Sequence, residues 1–291
     1  MVKTKILFFL KLPPPLTGAT LINKYVNDSN ILKNTFRIKT ISISYKNQIN
    51  SKYEISKFFK IISYHILLIK ELVLFKPQLV YFQLSPLGFA FIRDCTYIVW
   101  LKILKVHIIF HLHGKGISEA TRKSKIIKNI YRWAFNNSFV ICLSKLLVND
   151  ISDVYLSKPY IVNNGIPDVK KARFKNENNN KIQVLFLSNL IYSKGIIDFL
   201  DSIALLNGTH KAKIAGKIVG SEVEITKFKL NYELNARNIN DFVEFLGPKY
   251  DEEKENILLQ TDILVFPTLD DAFGLVLLEA MQFGIPVIAT R

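Results

Sequence analysis

The sequence predicts an α/β protein built from two doubly wound parallel-sheet domains in tandem. Three observations carry that expectation. The 291 residues are about two domains' worth at ~150 residues per domain. Short apolar runs alternate with longer helical stretches, the pattern of a parallel sheet covered on both faces. The alternation breaks once, at the polar, aperiodic stretch Asp168 to Asn180, and then restarts. With 49% hydrophobic and 22% charged residues the composition is globular, which excludes disorder or a coiled coil for the whole chain.

In the first half, Lys5–Leu10, Phe36–Ile43, Leu79–Leu84, Val106–His111, Ser138–Cys142 and Tyr160–Val162 read as buried strands. The clearest helices between them are Ser51–Phe75, Phe89–Lys105 and Glu119–Phe135. In the second half the strands are Val184–Ser188, Lys213–Ala215, Val243–Phe245, Ile263–Phe266 and Val287–Ala289. Gly195–Leu206, Glu222–Arg237, Tyr250–Gln260 and Gly274–Phe283 are its helices. The expected domains are therefore 1–167 and 181–291, joined by a linker at 168–180. Ligands of such sheets gather at the carboxyl ends of the strands, so the loops leaving each strand are where function is sought.

Charge is divided unequally. Residues 1–170 hold 25 Lys and Arg against 8 Asp and Glu, and residues 171–291 hold 14 against 16, which together give the net +15. The first half therefore expects an anionic partner. Its helix Ser51–Phe75 mixes Phe58, Phe59, Ile61, Ile62, Leu67 and Leu68 with Lys52, Lys57, Lys60 and Lys70, a composition suited to an anionic lipid surface as well as to ordinary packing on the sheet. Nucleic acid is disfavoured, because the basic residues are scattered over helices rather than gathered in a recognition module. The five-residue apolar run Ile6–Leu10 is too short for a secretory signal, and charges interrupt the greasy stretch Phe89 to His111, so no membrane-spanning helix is expected. Cys95 and Cys142 sit among apolar neighbours and read as small buried hydrophobes of a reducing compartment.

The most informative stretch for chemistry runs from Asp270 to Ala280. Between Asp271 and Arg291 the only charged side chain is Glu279, inside a helix that is apolar nearly all round and closes at Gly284 and Pro286. Such a carboxylate needs donors, either ligand hydroxyls or an unseen Lys or Arg. Asp271 precedes the same helix, where a carboxylate suits the helix dipole as a cap or as a site residue. A second stretch, Leu187 to Gly195, ends a strand and brings Lys194-Gly195 to a helix start, an arrangement that favours phosphate. In the first half, Gly18 in the Pro13–Ala19 loop allows close approach of a ligand to the backbone. His111 and His113 leave a strand toward the ligand side and lack a third metal ligand. The full dinucleotide glycine fingerprint and the Walker loop are absent, against nicotinamide and ATP chemistry.

Taken together, these residues resemble glycosyltransferase family 4, retaining nucleotide-sugar transferases of the GT-B architecture, in which two Rossmann-like domains face a cleft. The hallmark is two acidic residues separated by seven, here Asp271-Ala-Phe273-Gly274 through Glu279-Ala280, followed by Gly284-Ile285-Pro286-Val287. Asn163-Asn164-Gly165-Ile166-Pro167 is similar to the family's hinge, and Ala215-Gly216 to its mid-domain strand end. The resemblance implies transfer of a sugar from a nucleotide diphosphate to a hydroxyl with retention, no metal cofactor, and a first domain on the acceptor side. It also implies roles: Lys194 and Asn189 at the donor diphosphate, Glu279 at the ribose, Phe273, Gly274 and Gly18 lining the donor site. Asp271 and then His113 fall beside the transferred sugar, with His111 as the alternative. Asn189 stands where many members carry arginine, and Asp271 is a methylene shorter than the usual glutamate.

Members normally continue beyond the point where Arg291 falls, so the second domain is expected to be incomplete. The implied setting is bacterial cell-surface polysaccharide synthesis, in the cytoplasm or peripheral at the inner membrane face. The implied acceptor is lipid-linked or an oligosaccharide. Two rivals stand beside this reading: an inactive basic remnant that binds membrane or polyanion, and a sugar-nucleotide epimerase of the same architecture.

Overall fold

The computed structural model describes residues 3–44, 51–169, 181–209 and 214–290, and the side chains of residues 51–57 and 209 lie outside that description. Most of the expected linker, and the side chains of Lys52 and Lys57, therefore fall outside the described residues. The chain divides into two compact units, Met1–Asn164 and Gly165–Arg291.

Unit 1 comprises β1 (Lys5–Leu10), α1 (Gly18–Asp28), α2 (Asn30–Thr35), β2 (Arg37–Ser42), α3 (Ser51–Leu74), β3 (Leu79–Leu84), α4 (Gly88–Ile103), β4 (His107–Leu112), α5 (Ile117–Lys123), α6 (Lys125–Phe135), β5 (Phe139–Cys142) and β6 (Tyr160–Ile161). The strands form one sheet in the order β2-β1-β3-β4-β5-β6, every neighbouring pair parallel. Alternation along β1 shows why its run is apolar throughout. Ile6, Phe8 and Leu10 pack on one face of the sheet with Tyr81, while Leu7 and Phe9 pack on the other with Val80 and Phe82.

Unit 2 comprises β7 (Ile182–Leu187), α7 (Ile196–Thr209), β8 (Ile214–Val219), α8 (Lys227–Ala236), β9 (Val243–Gly247), α9 (Asp251–Leu259), β10 (Ile263–Phe266), α10 (Leu275–Gln282) and β11 (Val287–Ala289). Its five parallel strands run β11-β10-β7-β8-β9. Val184 and Phe186 face a core closed by Phe199, Leu200, Leu230 and Leu234, whereas Leu185 and Leu187 face Leu258, Ala280 and Phe283. The two-residue period of β7 thus assigns α7 and α8 to one face and α9 and α10 to the other.

Both sheets are those of Rossmann-like domains, as the alternation predicts. Differences from the sequence reading have local causes. Helix Glu119–Phe135 is two helices, because Ser124 takes extended dihedrals (φ −148°, ψ 119°) and caps α6 by accepting from the Ile127 amide. The helix expected from Glu222 starts only at Lys227, where Thr226 caps it from the Lys229 amide. Strand β8 extends to Val219, since Ile218 and Val219 continue the buried pairing with Phe186 and Leu187.

Candidate functional site

In unit 2 the chain order reverses between β7 and β10, the place where an open α/β sheet forms its ligand crevice. The loops leaving these two strands carry Lys194 and Asp271. A 3-10 turn, Tyr192–Lys194, ends at Gly195 in the left-handed region (φ +76°). A Cβ at Gly195 would collide with the Pro267 carbonyl oxygen, so only glycine lets this turn dock beneath β10. Leu269 then donates its amide to the Ser193 carbonyl at 2.8 Å. Lys194 reaches across, donating to Asp271 Oδ2 at 2.9 Å and to the Asp270 carbonyl at 2.5 Å.

Both oxygens of Asp271 are bonded within the protein. Its Oδ1 accepts from the Phe273 amide at 3.0 Å and the Gly274 amide at 2.9 Å, and Gly274 turns the chain into α10 with φ +67°. Burial works to raise the Asp271 carboxyl, but the Lys194 ammonium and these two amides outweigh it and hold it below its ordinary value. The sequence reading placed free amides and the lysine together for a phosphate. In the structure Asp271 takes the Phe273 and Gly274 amides just before α10, while Lys194-Gly195 leads from the 3-10 turn directly into α7 at Ile196.

Glu279 lies on the second turn of α10, and only 8% of it is exposed. Its Oε1 accepts from Lys254 Nζ, on the first turn of α9, at 2.7 Å. Its Oε2 is buried without a hydrogen-bond partner among the described residues. The two donors that sequence reasoning left as alternatives thus divide the carboxylate. A lysine takes one oxygen, and the other meets no donor among the described residues. Sequence reasoning missed Lys254 because it sits among Asp251, Glu252, Glu253 and Glu255, where a lysine reads as a solvated helix charge.

Asn189 and Gly18 are not drawn into this constellation. The Asn189 side chain accepts from the Ser221 amide at 3.2 Å, tying the loop after β7 to the loop after β8. Gly18 is the exposed first residue of α1, whose start is held by Thr17 and Thr20 in a capping box.

In unit 1, His113 follows β4. Its ring lies against that of His111 with centroids 4.0 Å apart, and both its nitrogens are buried without partners among the described residues. His111 is tied through Nδ1 to the Tyr81 hydroxyl, and its own Nε2 is unpartnered. Burial pushes His111 down to about 4, and burial together with His111 pushes His113 well below its usual value, so both rings are neutral near pH 7. Neutral imidazoles accept hydrogen bonds, which suits them to ligand hydroxyls. At the β1/β3 crossover of the same unit, Lys11 donates to Ser85 Oγ at 3.1 Å beside Arg93 and the buried Asp94. These residues carried no sequence motif. Among the described residues no three His, Cys, Asp or Glu side chains are grouped as metal ligands.

Two Rossmann-like parallel-sheet domains, with an acidic pair and a lysine at the crevice of the second, define the GT-B class of fold. The family model of glycosyl transferases group 1 matches residues 168–291. Over 206 residues, 70% of its length, the chain is 27% identical to an uncharacterized glycosyltransferase of Methanocaldococcus jannaschii, of which 54% is covered. Over 218 residues, 69% of its length, it is 27% identical to the O-antigen biosynthesis glycosyltransferase WclY of Escherichia coli, of which 59% is covered. The chain thus spans between half and three-fifths of these relatives. Among solved structures, the Anabaena protein HepE in complex with UDP superposes with a TM-score of 0.66 at 17% identity, covering 98% of this chain and 80% of that one. The match to the glycosyl transferases group 1 model thus falls on the second unit.

Proposed function

We propose that this chain is a retaining glycosyltransferase that binds a nucleotide-diphosphate sugar in unit 2 and moves the sugar to a hydroxyl acceptor. The observation that carries the reading is Glu279, a buried carboxylate with one oxygen lacking a partner, at the same end of the sheet as Lys194 and Asp271. Vicinal hydroxyls of a ribose supply donors for that oxygen. Lys194 exchanges Asp271 for the diphosphate, whose departure it stabilises as the bond from the anomeric carbon to the phosphate oxygen breaks. Asp271, released, faces the transferred sugar. Phe273 and Gly274 line the donor, and Asn189, in the loop leaving β7, lies toward its margin. In unit 1 the unpartnered nitrogens of His113 accept from hydroxyls of the sugar or the acceptor.

The setting that fits is cell-surface polysaccharide synthesis, as in the O-antigen relative, with a lipid-linked or oligosaccharide acceptor met at the cytoplasmic membrane face. Support comes from the outer face of unit 1. Phe58, Phe59, Ile62 and Ile66 of α3 and Phe89, Ile92, Val99 and Ile103 of α4 are all exposed. The helices are joined through His65, which accepts from Trp100 Nε1 at 3.0 Å and bonds Thr96 Oγ1 at 3.0 Å. Lys70 and Lys105 are exposed on the same helix pair or just beyond it. Such a surface suits insertion into an anionic headgroup layer. Among the described residues no helix is long and apolar enough to cross a membrane.

The testing experiment is a melting series of the purified chain with UDP, GDP and ADP, repeated for Glu279→Ala. A ligand at a hundredfold excess over its Kd stabilises by about 2.7 kcal/mol. A shift with one nucleotide that is lost in the variant is the expected result. No shift with any of the three, from a chain that still melts cooperatively, sinks the reading. Vesicle sedimentation tests the membrane component, and equal binding to neutral and anionic vesicles would sink it.

A further inference from the structure

Helices α9 and α10 both run back from the carboxyl ends of their strands on the same face of the unit 2 sheet, so their first turns lie at its ligand end. Lys254 bridges the two helices. It has four acidic neighbours on its own helix within three residues, yet it pairs with Glu279, 25 residues away. Both side chains are sheltered, 20% exposed for Lys254 and 10% for Glu279. A carboxylate bonded through one oxygen to a fixed ammonium has lost its freedom to rotate. The second oxygen is then presented in one direction, and that oxygen meets no donor among the described residues.

We propose that Lys254 is a positioning residue that sets the ribose selectivity of the donor site, by locking Glu279 so that only Oε2 is offered to the ligand's vicinal hydroxyls. The inference rests on the assignment of Glu279 to the ribose and deepens it. With Lys254 in place, a ribonucleotide satisfies the orphaned oxygen, and a deoxyribonucleotide leaves it buried and unpaired. Without Lys254, Glu279 turns freely, draws in water, and no longer distinguishes the two. Asp271 cannot substitute in this role, because all of its contacts are made within the protein.

The test measures dissociation constants by calorimetry for wild type, Lys254→Met and Lys254→Arg. The probes are whichever of UDP, GDP and ADP stabilises the wild type, its 2′-deoxy counterpart, and inorganic pyrophosphate. A hydrogen bond to a charged group predicts a ribose preference of about ten- to a hundredfold in the wild type. Lys254→Arg keeps that preference, and Lys254→Met reduces it to within about threefold with pyrophosphate affinity unchanged. A folded Lys254→Met with the preference intact overturns the inference while leaving the donor-site reading in place. So does a wild type that binds its nucleotide without ribose preference. A wild type that binds none of the three nucleotides removes the donor-site reading, and the inference with it. If Lys254→Met does not melt cooperatively, Lys254→Gln carries the same comparison.

Discussion

Asp271 and Glu279 stand eight residues apart, and each is met by a lysine, yet the two pairs are in opposite states. Asp271 spends Oδ1 on two backbone amides and Oδ2 on Lys194, and nothing of it is left over. Glu279 gives one oxygen to Lys254 and buries the other without a partner. The first pair spans two loops and is partly open to solvent, at 20% and 29% side-chain exposure, so a ligand can separate it at small cost. The second spans two packed helices and is more sheltered, at 20% and 10%. The difference teaches that one acidic residue in this region is a cap with both oxygens bonded, and the other is a fixed carboxylate with one oxygen still to be satisfied.

The most damaging way to break the comparison is to remove the turn that brings Lys194 to Asp271. Gly195→Ala adds a strained positive φ and a collision with the Pro267 carbonyl, and is expected to cost about 3 kcal/mol or more. Thermal melting reads the loss, and any nucleotide-induced shift should vanish with it.

Glu279→Gln and Asp271→Asn sharpen the contrast. Glu279→Gln leaves Lys254 half-buried beside a neutral amide and should cost about 2–3 kcal/mol. Asp271→Asn keeps an oxygen for the Phe273 and Gly274 amides and loses only the pair with Lys194, a cost of about 1 kcal/mol or less. Denaturant midpoints for the two variants should therefore separate clearly, and equal midpoints would remove the distinction between cap and acceptor.

Unit 1 offers a control that acid should reveal. Burial lowers His111 to about 4 in the fold, against 6.5 in the unfolded chain. A group whose folded value is depressed in this way is neutral in the fold and takes up its proton on unfolding. Stability present above about pH 6.5 is thus lost as pH falls toward 4, by about 3 kcal/mol for His111, with His113 acting in the same direction. Melting temperature against pH should fall over that window and flatten in His111→Gln. Asp271 acts at lower pH, because its carboxyl lies below its ordinary value and its contribution is lost only on further acidification. The smallest effect expected is that of Asn189→Ala, which removes one exposed hydrogen bond to the Ser221 amide, worth about 0.5 kcal/mol. Unchanged nucleotide affinity in that variant would confine Asn189 to joining two loops.

How much of this was legible beforehand follows from the range over which each interaction acts. Lys5–Leu10, Leu79–Leu84, Ile263–Phe266 and Val287–Ala289 were readable to the residue, because an apolar run bounded by polar residues is a local signal. The break at Ser124 was not, since a serine that caps a new helix also tolerates the interior of a long one. In the site, Asp271, Glu279 and Lys194 were legible from their places in strand-loop-helix patterns. The sequence by itself determined two Rossmann-like domains and the isolation of Glu279 in an apolar helix. Only the tertiary structure decided which polar groups meet: Lys194 crosses 77 residues to Asp271, Lys254 crosses 25 to Glu279, and Tyr81 crosses 30 to His111. Such pairings depend on which helices and loops the sheet order places side by side. Side-chain periodicity records which face of an element is buried, and carries no record of what it is buried against.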